Sequence, residues 1–349
     1  MKKNIVELNF VRAVAMLAVL LIHTTANART LVPWGSLSAP VYIAANQLSM
    51  FAVPVFLMMN GLVLFYRYHD DWSLKQAAAF YKKRIQFILV PYLLWSVLYY
   101  AGNQLIATHQ VHVDAGKFWE MLVWGKSGYH LYFMVIVIQF YVVFPILMTL
   151  VRLLKLNGLA VLALGLIVQG VFYFIHHWVK PIDHFSALMP NYSLVFCTGA
   201  AIGMHYEWFA ACWRQVWWTM GLGAAIGFMY ILMLLSAEEG AHYWPPAYVI
   251  LYNVYAVVMG VSLIWSGKIV CERLSGAVRA VLEFGAISFG VYLIHPMLLT
   301  IWRQLADPSP QNMYYHPYNL ITYILLVAAS WLIVRYTKRI KWSWMVWGR

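Results

Sequence analysis

Ten apolar runs, each about 20 residues long, take up most of the 349 residues of the chain. A helix needs about 20 mostly apolar residues to cross the hydrocarbon core of a bilayer, so each run has the length of one membrane span. Only 10% of the residues are charged, against about 25% in a soluble domain. The sequence therefore predicts an all-α, polytopic membrane helix bundle that forms a single domain over residues 1–349. The predicted spans are 8–27, 41–66, 85–106, 130–151, 159–178, 188–206, 216–236, 247–266, 281–306 and 318–336.

The basic residues alternate between the two ends of these predicted spans. If the N-terminus lies in the cytoplasm, 17 of the 24 Lys and Arg residues fall in inner segments and only four fall in outer loops. Inner loops of membrane proteins carry such an excess of Lys and Arg. The net charge of +12 thus arises from several short clusters rather than from one patch for nucleic acid. We expect both termini to be cytoplasmic.

The first apolar run also has features of a cleavable signal peptide. Lys2 and Lys3 precede it, and Ala26-Asn27-Ala28 resembles a cleavage site. Against this interpretation, Arg12 and His23 interrupt the apolar stretch, and cleavage would leave nine spans and disturb the alternation of charge. The sequence favours a retained first span.

Arg12 and His23 are polar residues of the first span whose placement inside a bilayer costs free energy, and they lie eleven residues apart. On a helix this spacing is about three turns and 16 Å, so both side chains project from one face. A permanent cation can hold phosphate groups, and an imidazole can take and return a proton. A functional path along this face is one of two interpretations that the spacing supports equally. The alternative is that Arg12 reaches the inner headgroups and His23 hydrogen-bonds a neighbouring helix.

Two other predicted spans contain polar residues that a bilayer disfavours. Asn60 lies deep in the second span, where it would line a cavity or bond another helix, and the adjacent Gly61 permits close helix packing. His295 lies in the middle of the ninth span and is followed by Pro296, which frees a backbone carbonyl. A lone histidine here is more often a packing residue than a catalyst.

Other common functional motifs are absent from the sequence. Histidines are frequent in the outer loops, but no pair combines metal-ligand spacing with acidic partners, and the three widely spaced cysteines match no zinc pattern. Phosphate-binding glycine loops and the Gly-x-Ser-x-Gly nucleophile elbow are also missing. The sequence predicts neither a metal site nor a structural disulfide.

Five separated stretches together form a more specific pattern. They are Arg12 to His23, residues 54–61, Lys83-Arg84-Ile85 with Pro91-Tyr92, residues 130–134 with Tyr141 and Pro145, and residues 288–296. With all five stretches in this order, the chain resembles the acyltransferase-3 family of integral-membrane acyltransferases, which O-acylate bacterial surface sugars. The resemblance covers essentially the whole chain. It departs from the family at Ala13, where Gly is frequent, at Asn60, where the family has Ser, and at Tyr132, where Trp is common.

The resemblance implies an enzyme of the bacterial cytoplasmic membrane with acyl-CoA as donor substrate. It would move an acetyl or succinyl group from cytoplasmic acyl-CoA to a hydroxyl of a cell-surface or lipid-linked glycan, without a metal. Arg12 and His23 are then the catalytic pair, with His23 as base or as acyl acceptor. The other implied residues are Arg67 and Arg84, which with Arg12 bind the donor, and Asn60, Tyr132, Tyr292 and His295, which bind substrate.

Two other classes of function compete with this one. A transporter or flippase for a glycan or small solute also has about ten spans, intramembrane charges and interrupted helices. Such proteins are often built from inverted repeats, and the proline-interrupted spans do not fall at matching places in two halves of this chain. A sensory or structural membrane protein is disfavoured because the chain has no soluble output domain.

Overall fold

A computed structural model describes residues 2–273 and 278–348, and every regular element in these residues is helical. The predicted all-α membrane bundle is therefore confirmed. The helices are α1 (Leu8–Leu31), α2 (Ala39–Ser49), α3 (Ala52–Tyr68), α4 (Leu74–Arg84), α5 (Val90–Thr108), α6 (Ala115–Val123), α7 (Tyr132–Leu153), α8 (Gly158–Phe174), α9 (Ser193–Met204), α10 (Tyr206–Ala211), α11 (Val216–Glu238), α12 (Pro245–Arg273), α13 (Arg279–Ala286), α14 (Ser288–Leu305), α15 (Tyr315–Thr337) and α16 (Ser343–Trp347).

Nine of the ten predicted spans coincide with helical segments long and apolar enough to cross a bilayer. Within the described residues, eight such segments are single spans or closely joined helices, and a ninth is the pair α13 and α14, which bends by 75°. The predicted sixth span, 188–206, differs, because α9 has only 12 residues. Twelve helical residues extend about 18 Å, less than the roughly 30 Å of the hydrocarbon core. A short 3₁₀ turn at Met189–Tyr192 occupies the beginning of this apolar run.

The chain divides into two compact units, and each unit is built from two segments. Unit 1 contains Met1–Met59 and His205–Ile333, and unit 2 contains Asn60–Met204 and Val334–Arg349. Every helix except α3 lies wholly or almost wholly in one of them. The cytoplasmic position of the two termini stays a prediction.

In unit 1, helix α1 is surrounded by α2, α12, α13 and α14. Helices α1 and α13 approach each other closely, since a Cβ atom on Gly285 would lie 1.8 Å from the carbonyl oxygen of Asn9. A side chain at position 285 would therefore displace the first turns of α1. Glycine at position 285 thus allows α13 to pack against the N-terminal end of α1, which is the end predicted to face the cytoplasm.

In unit 2, the short helix α9 packs closely against α8 and against the second half of α3. A Cβ atom on Gly61 would lie 2.1 Å from the carbonyl oxygen of Phe196, so the two backbones touch at this position. Small residues allow such approaches between membrane helices. The role in close helix packing that the sequence predicted for Gly61 is thereby confirmed.

Replacing Gly61 with alanine is expected to destabilise unit 2, because the added methyl group must push α3 away from α9. Overpacking of this kind costs about 1–3 kcal/mol. The melting temperature in detergent, followed by fluorescence-detected size-exclusion chromatography, should fall by several degrees. Gly170→Ala is the matched control, since a Cβ atom there meets nothing within 4 Å. Equal melting temperatures for the two variants would contradict the proposed contact.

Candidate active site

Helix α1 carries both Arg12 and His23, and it is continuous from Leu8 to Leu31. The spacing of eleven residues therefore corresponds to about 16 Å along one uninterrupted helix. Both side chains are partly buried in unit 1, among neighbours such as Val11 and Met16 that are fully buried. Neither of the two polar side chains lies fully exposed at the surface of the unit.

Asn9 holds the Arg12 side chain. The Oδ1 atom of Asn9 accepts a hydrogen bond from Nη1 of Arg12 at 2.8 Å, one helical turn away. The backbone of Asn9 is in turn in contact with Gly285 of α13. Packing of α13 thus sets the position of the turn from which the guanidinium group projects. The sequence analysis assigned no role to Asn9, although its spacing of three residues from Arg12 is the spacing of a side-chain pair on a helix.

His23 lies against His295 of α14. The two imidazole ring centroids are 5.2 Å apart, with an angle of 34° between the ring planes. His295 is completely buried, and the ring of Tyr292 lies 6.2 Å from it, one turn earlier on the same helix. The structure therefore brings three of the residues predicted from the sequence into one cluster.

The hydrogen bond of His295 to its own helix determines its tautomer. Nδ1 of His295 lies 3.2 Å from the carbonyl oxygen of Val291. A carbonyl oxygen can only accept, so Nδ1 carries the hydrogen and donates it. In the neutral ring, Nε2 then has a lone pair and can only accept a hydrogen bond. His295 is thus suited to receive an N–H group rather than to donate one from Nε2.

Two further polar side chains fix the α1 turn that carries His23. Arg303 of α14 donates from Nη2 to the carbonyl oxygen of His23 at 3.2 Å. Asn46 of α2 donates from Nδ2 to the carbonyl oxygen of Ile22 at 2.9 Å and to Oγ1 of Thr25 at 3.1 Å. The sequence analysis assigned no function to Arg303 or Asn46. The sequence did contain an indication of such a function, because both are polar residues within or at the end of a predicted span, where burial in the bilayer costs free energy.

The remaining predicted site residues, Asn60, Arg67, Arg84 and Tyr132, belong to unit 2. Asn60 is partly buried beside Gly61, Arg67 is exposed in the last turn of α3, and Tyr132 begins α7. The guanidinium carbon of Arg84 lies 4.5 Å from the ring centroid of Tyr141 and 4.9 Å from that of Phe80. These cation–π contacts hold Arg84 in place at the end of α4.

No group of three or more His, Cys, Asp or Glu side chains in the described residues could hold a metal ion. Cys197, Cys212 and Cys271 are free thiols. The side chains and backbone groups that the structure brings together around His23 are nitrogen and oxygen groups, which are suited to proton transfer and hydrogen bonding. This chemistry fits acid–base catalysis on an alcohol.

Comparison with known proteins identifies the family of the chain. A family model described as an acyltransferase domain matches residues 5–335, nearly the whole chain. The chain belongs to the acyltransferase-3 family. The resemblance stated from the sequence is thereby confirmed, and the protein is a multi-pass membrane protein with an acyltransferase domain. The five acyltransferase-3 stretches of the sequence lie on α1, α3, α4 to α5, α7 with the turn before it, and α14.

Relatives of this acyltransferase-3 protein include two staphylococcal proteins. A protein of Staphylococcus aureus (strain N315), named "Probable poly-beta-1,6-N-acetyl-D-glucosamine export protein", is 22% identical over 315 residues, which cover 86% of this chain and 83% of the relative. A protein of the same name from Staphylococcus epidermidis is 26% identical over 317 residues, covering 86% of this chain and 82% of the relative. No solved structure matches the chain.

Proposed function

We propose that this protein transfers an acetyl or succinyl group from acyl-CoA to a hydroxyl of a cell-surface or lipid-linked glycan, with His23 as the base. The observation that supports the proposal most strongly is the contact of His23 with the fully buried His295 at 5.2 Å between ring centroids. An imidazole in contact with a second, buried imidazole is suited to deprotonate an alcohol, and this chain belongs to an acyltransferase family. We place the protein in the bacterial cytoplasmic membrane.

The proposed reaction is a direct acyl transfer. His23 removes the proton of a sugar hydroxyl while the hydroxyl oxygen attacks the thioester carbonyl. The carbon–sulfur bond then breaks, and the thiolate of coenzyme A takes the proton back from His23. The products are an O-acyl ester and free coenzyme A, and the base is regenerated in each cycle.

His295 is proposed to orient His23. A ring nitrogen lies about 1 Å from the imidazole centroid, so an N–H···N bond of about 3 Å joins rings whose centroids are about 5 Å apart. The separation of 5.2 Å is close to this value, but Nε2 of His295 makes no hydrogen bond to His23 in this structure, so this bond requires the ring of His23 to turn towards it. With Nδ1 of His295 donating to Val291, its Nε2 atom would accept the N–H of His23. The opposite nitrogen of His23 then points away from His295 with its lone pair available as a base.

The donor is proposed to bind with a phosphate group at Arg12. The guanidinium fork can form two parallel hydrogen bonds to phosphate, and Asn9 holds it from one side. Arg67 and Arg84 are proposed to assist donor binding, and Asn60, Tyr132 and Tyr292 to contact substrate. His295, first predicted to bind substrate, is now proposed to act through His23.

Replacing Arg12 with lysine is expected to raise the KM for acyl-CoA about tenfold, because an ammonium group cannot reproduce the bidentate fork. Hydrogen bonds to charged groups contribute about 1.5–3 kcal/mol, and 1.4 kcal/mol corresponds to a factor of ten. The measurement is the steady-state KM for acetyl-CoA and succinyl-CoA. Arg214→Lys, at an exposed position of unit 1, should leave this KM unchanged. Equal KM values for the two variants would exclude Arg12 from donor binding.

A second candidate function is glycan export, which the names of the two staphylococcal relatives favour. The test uses the purified protein in liposomes. Acyl-CoA is added on one side of the membrane, and a β-1,6-linked N-acetylglucosamine oligosaccharide is added either on the opposite side or on both sides. We expect mass spectrometry to detect oligosaccharide that has gained an acetyl or succinyl group. Oligosaccharide flux without any acylation would overturn the acyltransferase proposal in favour of export.

A further inference from the structure

Unit 1 contains a cavity of about 250 Å³ between α2, α11 and α12, apart from the rings of His23 and His295. Three of its six lining residues are tyrosines. The lining residues are Gln47, Met50, Tyr230, Tyr248, Val249 and Tyr252. An apolar cavity of about 150 Å³ in another protein admits benzene, so this cavity is large enough for one six-membered ring.

A break in the second predicted span creates one wall of the cavity. Helix α2 ends at Ser49 and α3 begins at Ala52, so carbonyl groups at the break need other partners. The hydroxyl of Tyr255 donates to the carbonyl oxygen of Leu48 at 2.9 Å, and that of Tyr252 donates to the carbonyl oxygen of Met50 at 3.0 Å. These bonds hold α12 against the break and keep the wall in place.

Tyr248 lies one helical turn before Tyr252, on the same face of α12. Its hydroxyl makes no hydrogen bond to any residue in the described part of the chain. The ring is partly buried and lines the cavity. It therefore offers an aromatic face that the packing of unit 1 does not fully use.

The lining of the cavity contains one buried amide, which can recognise polar groups of a ligand. Gln47 is 5% exposed, and its amide oxygen accepts a hydrogen bond from Nη1 of Arg29 at 2.6 Å. The hydroxyl of Tyr230 lies 3.4 Å from the same amide. Aromatic faces beside an oriented amide fit a sugar ring, which has apolar C–H faces and hydroxyl groups around its edge.

A cation, Arg29, lies beside the cavity. Arg29 donates to the amide of Gln47, while the three connections at this end of unit 1, residues 32–38, 239–244 and 306–314, contain neither Lys nor Arg. Because Arg29 is engaged by that amide, the tyrosine rings are the main surface that the cavity offers to a ligand, and such a surface suits a neutral ring.

The cavity also lies beside the α1 turn that carries His23. Asn46, which bonds the carbonyl oxygen of Ile22 at 2.9 Å, is the neighbour of Gln47 on α2. From the cavity lined by three tyrosines and the Gln47 amide, close to this turn, we infer a binding site for one sugar ring of the acceptor glycan. The inference rests on the proposed function for the identity of the acceptor. The occupant of this site would be a sugar of the glycan that neighbours the acylated sugar.

The test measures binding of a β-1,6-linked N-acetylglucosamine oligosaccharide to the full chain in detergent, by saturation-transfer-difference NMR and calorimetry. Tyr248→Ala should weaken binding about tenfold and raise the KM for the oligosaccharide by a similar factor, with the KM for acyl-CoA unchanged. Tyr248→Phe should bind nearly as tightly as the wild type, because it keeps the ring. Tyr314→Ala removes a tyrosine that is 64% exposed at the same end of unit 1, and it should have no effect.

A second variant, Val249→Phe, fills the cavity instead of enlarging it and should cause the same loss of binding. Unchanged binding in both Tyr248→Ala and Val249→Phe, or absence of binding by the wild type, overturns the sugar site while leaving the role of His23 intact. Cavity-dependent binding without any acyl transfer would support the sugar site and overturn the acyltransferase proposal instead.

Discussion

Replacing His23 with alanine is expected to reduce acyl transfer by a factor of about 10²–10⁴, the usual contribution of a general base. The loss should fall on kcat, because the imidazole acts on the proton that moves in the transition state. The measurement is formation of acylated oligosaccharide from acetyl-CoA or succinyl-CoA. The elution profile and the melting temperature of the purified variant should match those of the wild type.

His242→Ala is the matched control for this prediction. His242 lies in the connection between α11 and α12 and is exposed, so its removal should leave kcat unchanged. If His23→Ala keeps more than about a tenth of wild-type turnover, His23 is not the base. The histidine would then be a packing residue, and export would become the better interpretation.

The sequence predicted the class of fold well because the length of an apolar run is a local property. It predicted the helix lengths less well where polar or turn-forming residues lie inside an apolar run. The sixth run, 188–206, contains Pro190 and Asn191, and these residues lie in a 3₁₀ turn that leaves only 12 residues for α9. The ninth run, 281–306, is two helices with a bend of 75°. Hydropathy alone does not distinguish a bent pair from one span.

For the candidate site, the sequence identified residue types but not their contacts. His23 and His295 are separated by 272 positions, and only the packing of α14 against α1 brings their rings to 5.2 Å. Arg303 and Asn46 were not recognised because their bonds to the α1 backbone depend on the same packing. Gln47 and Tyr248 were missed for a further reason, since an amide and a tyrosine near a membrane surface are common and carry no motif.

Replacing His295 with phenylalanine is expected to lower kcat about 10–100-fold, with the KM values for acyl-CoA and oligosaccharide nearly unchanged. Removing the partner that orients a metal-bound histidine costs about 10–100-fold in activity, and we expect a loss of the same size for this pair. Phenylalanine fills the buried volume but cannot accept the N–H group of His23. Without that bond, the imidazole of His23 would spend less time with a lone pair directed at the sugar hydroxyl.

His295→Gln distinguishes positioning from packing. The amide oxygen of glutamine can accept a hydrogen bond, so this variant should recover a large part of the kcat that His295→Phe loses. A purely structural role predicts the opposite order, because phenylalanine preserves the apolar contacts of a completely buried site better than an amide does. If both variants lose kcat equally, or if both raise the KM values, His295 does not act through His23. Recovery by glutamine, together with unchanged KM values, would identify the two histidines as one catalytic unit in which the residue on α14 sets the direction of the base on α1.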